Sequence, residues 1–352
     1  MSYQKYADII IDISNENLDK TYQYAIPQQY LAQAGIGAPV IVPFGKGNRQ
    51  INGYIVGLSD APKIEENRIK PIVEPVVGAP VIESHLIYLA YWIKERFGGT
   101  MNDALKTVIP VRKSVKMKEE RRVRLAVDIQ KANQLYEAYK RRNNTARVRL
   151  LEALMEEQPL DYEKVTSFFN ISRSTLEGLQ KLGVIEIASK RIYRNPVKQQ
   201  ADDFAPVVLN EEQKYIADCV KEEYHAGIRS TYLIHGVTGS GKTEVYMEII
   251  SSVIQEGKQV IMLIPEIALT YQTVQRFYRR FGERISVLNS RMSQGESYDQ
   301  SLRAKNGEID IMIGPRSALF TPFPNLGLIV IDEEHEGSYK SETTPKYHAV
   351  LV

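Results

Sequence analysis

The residues from Gly236 to Thr243 read GVTGSGKT, the complete spacing G-x-x-x-x-G-K-[ST] of a phosphate-binding loop. Glycines at these positions let successive backbone N–H groups turn toward phosphate oxygens, and the positive end of the following helix points to the same place. In this reading Gly236, Gly239, Ser240 and Gly241 cradle the phosphates, Lys242 reaches the β and γ phosphates, and the Thr243 hydroxyl ligates magnesium. The second cluster is LGLIVIDEEHEGSYK, Leu326 to Lys340, where the apolar run Leu328 to Ile331 precedes a run of acids. A buried strand of this kind delivers Asp332 to the carboxyl edge of a sheet, where parallel sheets place ligand chemistry. Asp332 then holds magnesium and Glu333 acts as general base on the attacking water. Glu334 and Glu336 read as loop solvation.

These groups need a scaffold that brings loop and acids together. Around them buried apolar runs alternate with helical stretches: STYLIHG, QVIMLIP, RISVLN, IDIMIG and LGLIVID are expected strands of a parallel α/β sheet. Tyr232 to Ile234 is the expected strand before the loop, and TEVYMEIISSVIQEG the helix after it.

From Tyr6 to about Val77 the pattern changes to five short runs, YADIIIDI, TYQYAIP, APVIVPFG, INGYIVGL and IKPIVEPVV, with turn residues between them, which suggests a small β-barrel. A helix follows over VIESHLIYLAYWIKERF, with Leu86, Leu89, Ala90 and Ile93 on one face and a stop at Gly98 and Gly99. Tyr91 and Trp92 are expected to pack in a core. Residues 111 to 196 read as three helices and a two-stranded ribbon over LGVIEIASKRIY, the order of a winged helix. Its third helix is expected to carry a capping box at Ser174 and Glu177 and a single cation, Lys181. NPVKQQADDFAPVVLN is expected to be a linker.

The 352 residues are 43% hydrophobic and 25% charged, with a net charge of +2, so overall charge argues for no partner. Charge is uneven, however: Arg112 to Arg149 holds thirteen Lys or Arg against four Asp or Glu, which in itself reads as a solvated linker with helical faces. One cysteine, Cys219, excludes an internal disulfide and a cysteine-rich zinc site within the chain. No run approaches the ~20 apolar residues of a membrane span, so the expectation is a soluble, cytoplasmic protein.

Several stretches together resemble one family. LNEEQ, GVTGSGKTEVYM, LIPEIALT, IGPRSALFTPFPNLGLIVIDEEHEGSYK and PKYH, with VPFGKGNRQINGYIVGL and IKPIVE in the first segment, are similar to the PriA (primosomal protein N′) family of superfamily 2 replication restart DNA helicases. The resemblance implies a multidomain α/β chain: a 3′-end DNA-binding, OB-like β-barrel over residues 1–110, a winged helix over 111–196 and a P-loop, RecA-like helicase lobe over 197–352. It implies ATP and Mg2+ as cofactors, 3′ to 5′ unwinding at stalled forks and primosome assembly. Forked and single-stranded DNA, primosome proteins and single-strand-binding protein are the implied partners.

By the same resemblance Gln213 recognises adenine, and Asp332, Glu333, Glu334 and His335 form a DEEH box in which His335 couples nucleotide state to DNA. Arg316 is a candidate DNA contact, although the family usually has Thr where Pro315 stands. A DNA-sensing aromatic loop maps onto EGSYKSETTPKYH, with Tyr339 and Tyr347 as stacking faces and Lys340 and Lys346 as phosphate contacts; packing is the competing account for the tyrosines. Tyr22, Gln23, Tyr24, Gly45 and Lys70 correspond to a pocket for a 3′ end, or else to ordinary barrel surface. The family often has Asp where Gln23 stands, and a neutral amide is a weaker acceptor for a terminal hydroxyl.

The family's second helicase lobe, its zinc-binding insertion and its C-terminal domain are expected outside these residues, and KYHAVLV departs from the family after His348. A superfamily 2 site takes arginines from that second lobe, so the expectation is fork binding and weak nucleotide binding without unwinding or efficient hydrolysis. A DNA-binding module with a vestigial ATPase lobe and a P-loop phosphotransferase remain as alternatives.

Overall fold

The computed structural model describes residues 4–109, 119–191, 208–237 and 239–352. The expected linker, the start of the basic segment and Thr238 of the phosphate-binding loop lie wholly or largely outside them. The chain divides into two compact units, one from Met1–Lys116 with Asn195–Val352, the other Met117–Arg194.

The larger unit begins with all five expected short strands: β1 Tyr6–Ile11, β2 Tyr22–Ala25, β3 Pro39–Phe44, β4 Arg49–Ser59 and β5 Glu74–Pro75, in sheet order β2-β1-β4-β3-β5. Antiparallel pairing with alternate burial gives this sheet an apolar interior of Ile9, Ile11, Tyr24, Val40, Val42 and Ile55. The segment before β5 closes the ring. Ala25 N–H donates to the Lys70 carbonyl, Ile72 N–H to the Ala25 carbonyl and Val73 N–H to the Ile41 carbonyl.

Two helices follow, α1 Ser84–Phe97 and α2 Met101–Val108. Gly98, at φ 75°, ends α1, and a reciprocal Thr100–Asp103 capping box starts α2. Leu86, Ile87, Ala90 and Ile93 of α1 are buried. Tyr91 and Trp92 are not in the core: they are 56% and 39% exposed, because the helix buries the opposite stripe.

The rest of this unit comprises α7 Glu211–His225, α8 Lys242–Gln255, β9 Gln259–Leu263, α9 Tyr271–Phe281, β10 Ile285–Val287, α10 Gln294–Lys305, β11 Ile311–Gly314 and β12 Leu326–Ile331. Its four strands form an all-parallel sheet in the order β10-β11-β9-β12. Along β9, Val260 and Met262 enter the core with Tyr246, Ile250 and Phe277 of α8 and α9, while Ile261 and Leu263 enter the core shared with Leu86, Ala90 and Tyr54. The antiparallel ring, α1, α2 and one face of the parallel sheet therefore share one apolar core.

The expected strand at Tyr232 to Ile234 does not form. Ile234 packs with Leu328, Val245 and Ile249, but Leu233 is 75% exposed and the Tyr232 phenol is drawn to Glu223 of α7. Consequently β12 is an edge strand, and Ile329, expected to be buried, is 41% exposed.

In the smaller unit β6 Glu119–Leu125, β7 Leu160–Asp161 and β8 Ile185–Arg191 form a three-stranded antiparallel sheet in the order β7-β6-β8, with α3 Ile129–Arg141, α4 Thr145–Glu156, α5 Tyr162–Ser167 and α6 Arg173–Lys181. Two expectations are corrected here. The expected ribbon is instead one unbroken strand, β8, since IEIASKR holds no Gly, Pro, Asn or Asp, and its partner is β6 from the basic segment. The expected third helix is α6, preceded by α3, α4 and α5, and it is capped by Ser172, whose hydroxyl accepts the Thr175 N–H at 3.2 Å, which brings Arg173 into the helix as a second cation beside Lys181.

Candidate nucleotide site and DNA-contact residues

The phosphate-binding loop turns into α8 through Gly239 and Gly241, at φ 81° and 83°, a backbone region that a side chain would strain. A Cβ on Gly241 would also fall 2.3 Å from the amide nitrogen of Gln213. Lys242 folds over the loop, its ammonium donating to the carbonyls of Gly236 at 2.6 Å and Val237 at 3.2 Å. Those carbonyls hold the cation where phosphate oxygens would compete for it.

Gln213 starts α7 in a capping box: its carbonyl oxygen accepts the Asn210 N–H at 3.0 Å and its N–H donates to the Asn210 side chain at 2.8 Å. Its amide nitrogen donates to the Ser240 carbonyl at 2.9 Å. The side chain named for adenine thus ties the first turn of α7 to the loop.

Asp332 leaves the end of β12 with its N–H donated to the Leu263 carbonyl of β9 at 2.9 Å. The Tyr246 hydroxyl lies 3.3 Å from its carboxylate and 3.0 Å from the Thr243 hydroxyl, bridging the two expected magnesium ligands. Burial, then the neighbouring Glu333 charge, raises the Asp332 carboxyl above the usual range. Burial, then the Asp332 charge, likewise raises the Tyr246 phenol. Among the described residues no three His, Cys, Asp or Glu gather as a metal cage. Thr243 and Asp332 suit magnesium, which is bound by few protein oxygens and completes its shell with water and phosphate.

Glu333 adopts φ +48°, and among the described residues the other three non-glycine residues in that region are asparagines, the side chains that tolerate it best. The exposed His335 ring stands 3.7 Å from the Glu333 carboxylate and 3.8 Å from that of Glu334.

The aromatic segment departs from expectation. Tyr339 is fully buried and Tyr347 nearly so, within the core shared with Leu263 and Phe320, so neither presents a face to a base. Burial follows from their polar ends: the Tyr339 phenol donates to the Asp332 carbonyl at 2.6 Å, and Tyr347 lies under the Arg316 guanidinium, 5.4 Å from its ring centre. Arg316 itself donates to the carbonyls of Ser338 and Lys340, either side of Tyr339. Lys340 and Lys346 remain exposed.

In the N-terminal ring, Lys70 donates to the Gly45 carbonyl at 3.0 Å and to the Asn48 side chain at 2.7 Å. Tyr22 meets Phe44 edge to face at 5.1 Å, with the Lys20 ammonium over its ring at 5.5 Å. Tyr24 does not belong to an open pocket, because it is buried and bonds to the Pro43 carbonyl. Gln23 lies on the other face of β2, as strand alternation requires, and both ends of its amide are taken, by Ser59 and by the Lys63 N–H.

Sequence reasoning missed Tyr246, Phe44, Lys20 and Asn48. Tyr246 was findable, since three residues along a helix from Thr243 puts it on the same face.

Residues 210–351 match the DEAD/DEAH box helicase family and residues 8–110 match the PriA 3′ DNA-binding domain. With the loop and the acidic box at the carboxyl edge of a parallel sheet, the class is a P-loop helicase lobe of RecA-like α/β type, joined to a DNA-binding domain. The chain belongs to the PriA family of replication restart proteins. It is 29% identical to replication restart protein PriA of Bacillus subtilis over 99% of this chain and 51% of that protein. The figures are 34% over 94% and 45% for the protein of Haemophilus influenzae, and 31% over 99% and 46% for that of Chlamydia muridarum. The chain spans about half the length of the curated relatives it matches. No helix among the described residues is long and apolar enough to cross a membrane.

Proposed function

We propose that this chain carries the fork-binding and nucleotide-binding parts of an ATP-dependent, 3′ to 5′ DNA helicase of replication restart. The proposed division is an OB-like barrel for the 3′ end over residues 1–110, a winged helix over 111–196 and a helicase lobe over 197–352. One observation carries the motor reading: the Thr243 hydroxyl after the loop and the Asp332 carboxylate after β12 meet through a single phenol. That arrangement sets two oxygen ligands beside a phosphate-binding loop, as a magnesium–triphosphate site requires.

In the proposed cycle the loop N–H groups take the phosphates, and Lys242 exchanges the carbonyls of Gly236 and Val237 for phosphate oxygens. Magnesium, when bound, neutralises phosphate charge and is held by Thr243 and Asp332. Glu333 accepts the proton of the attacking water, and His335, beside its carboxylate, passes the state of the site to DNA. Gln213 exchanges its bond to Ser240 for adenine. Arg316, Lys340 and Lys346 face DNA phosphates, while Tyr22, Gly45 and Lys70 receive the 3′ end. Primosome proteins and single-strand-binding protein are the proposed protein partners.

Arginines of a second lobe are needed to stabilise the charge on the transferred phosphoryl. The 352 residues by themselves are therefore proposed to bind forks and, weakly, nucleotide, without helicase-rate turnover. The test is nucleotide binding and fork binding by this chain and by Lys242→Ala. Loss of nucleotide binding with fork binding retained is expected; wild-type chain that binds no nucleotide would leave only a DNA-binding module.

A further inference from the structure

We infer that Tyr246 is a positioning residue of the nucleotide site: it fixes the direction of the Thr243 hydroxyl and of the Asp332 carboxylate so that both present lone pairs to one cation. The inference rests on the proposed magnesium site and adds a residue to it.

The argument starts from hydrogen count. A phenol has one hydrogen to give and can accept, and an ionised carboxylate only accepts. Tyr246 Oη lies 3.3 Å from Asp332 Oδ2 and 3.0 Å from Thr243 Oγ1; one phenol hydrogen cannot serve both, so the assignment that satisfies both contacts gives it to Asp332 and lets the phenol oxygen take the hydroxyl hydrogen of Thr243. Three consequences follow. The Thr243 hydrogen is turned away from the phosphates, so a lone pair of Oγ1 is left for a cation. One carboxylate oxygen of Asp332 is occupied, and the other is left for the same cation. The spacing of the two ligands is set by one atom, although they come from the start of α8 and the end of β12.

The ring cannot drift from this position. Tyr246 is 6% exposed and packs with Met262, Phe277 and Ile313 between α8, α9 and the sheet. Its hydroxyl emerges from that core at the one point where loop and acidic box meet. Groups that orient metal ligands from behind typically contribute ten- to hundredfold in metal affinity, which sets the size of the expected effect.

Tyr246→Phe keeps the packed ring and removes the oxygen. The experiment follows binding of a fluorescent ADP analogue to the whole chain, first without divalent cation and then across a magnesium titration. The expected result is unchanged affinity in the absence of magnesium and a half-saturating magnesium concentration raised about ten- to hundredfold. A purely structural role would instead lower the melting temperature and leave the magnesium dependence alone, which would overturn the inference.

Wild-type binding that ignores magnesium would overturn the magnesium site and the inference together. Wild-type dependence shared by Tyr246→Phe would overturn the inference alone. A second measurement avoids any folding defect: in wild-type chain labelled with 13C at the tyrosine ring carbon bearing the hydroxyl, the Tyr246 signal should shift when magnesium joins bound ADP. No shift would overturn the inference.

Discussion

The Tyr339 phenol donates to the backbone carbonyl of Asp332 at 2.6 Å. A ring expected to face DNA instead fixes the peptide that carries the Asp332 carboxylate. Removing that hydroxyl leaves a buried carbonyl without its partner, which costs about 1–3 kcal/mol. Tyr339→Phe should therefore lower the urea midpoint by a corresponding amount, while fork affinity in a fluorescence titration stays within a factor of two or so, since no stacked base is lost.

Glu333 gives the opposite sign. Its left-handed backbone costs of order 1–3 kcal/mol for a residue of its type, and asparagine or glycine tolerates that geometry better. Glu333→Asn is expected to gain about 1 kcal/mol of stability in chemical unfolding. In a full-length relative the same change should abolish hydrolysis, because the amide cannot take a proton from water.

Glu244 on α8 is buried yet charged, and it is held by Arg276 and Arg280 of α9, with Arg280 also 2.6 Å from Glu248. Removing both arginines strands a carboxylate inside the unit, a loss on the order of 3 kcal/mol. Arg276→Ala with Arg280→Ala should unfold well below wild type in a thermal melt, and adding Glu244→Gln should restore part of the difference.

Alkaline pH tests the interior of the N-terminal ring. Burial, and then the Tyr22 charge, pushes the Tyr24 phenol from its ordinary 10.0 up to about 12. A raised folded-state value means that the stabilisation is complete below about pH 10 and is lost as pH rises toward about 12. Melting temperatures across that window should fall less steeply for Tyr24→Phe than for wild type.

Local spacing made the phosphate loop, the acidic box and nine of the ten expected core strands of the ring and the parallel sheet legible in the sequence, because each is set by near neighbours. The exception, Tyr232 to Ile234, has a strand's composition, but pairing depends on a distant backbone. The same limit hid the partnership of β8 with β6. Tyr339 and Tyr347 were misread for a related reason: ring chemistry states what a side chain can do, and only packing decides whether its face is open. Gln23 was different, since strand alternation alone separates it from Tyr22 and Tyr24.

The edge position of β12 gives the site an uneven stiffness. β9 is bonded to a strand on both sides, whereas β12 is bonded on one side only, so its amides should exchange with solvent sooner. The carboxylate is therefore mounted on one of the two edge strands of the sheet. Tyr246 and Tyr339, which grip Asp332 by its side chain and its main chain, serve as the guy-lines that an outer strand would otherwise replace.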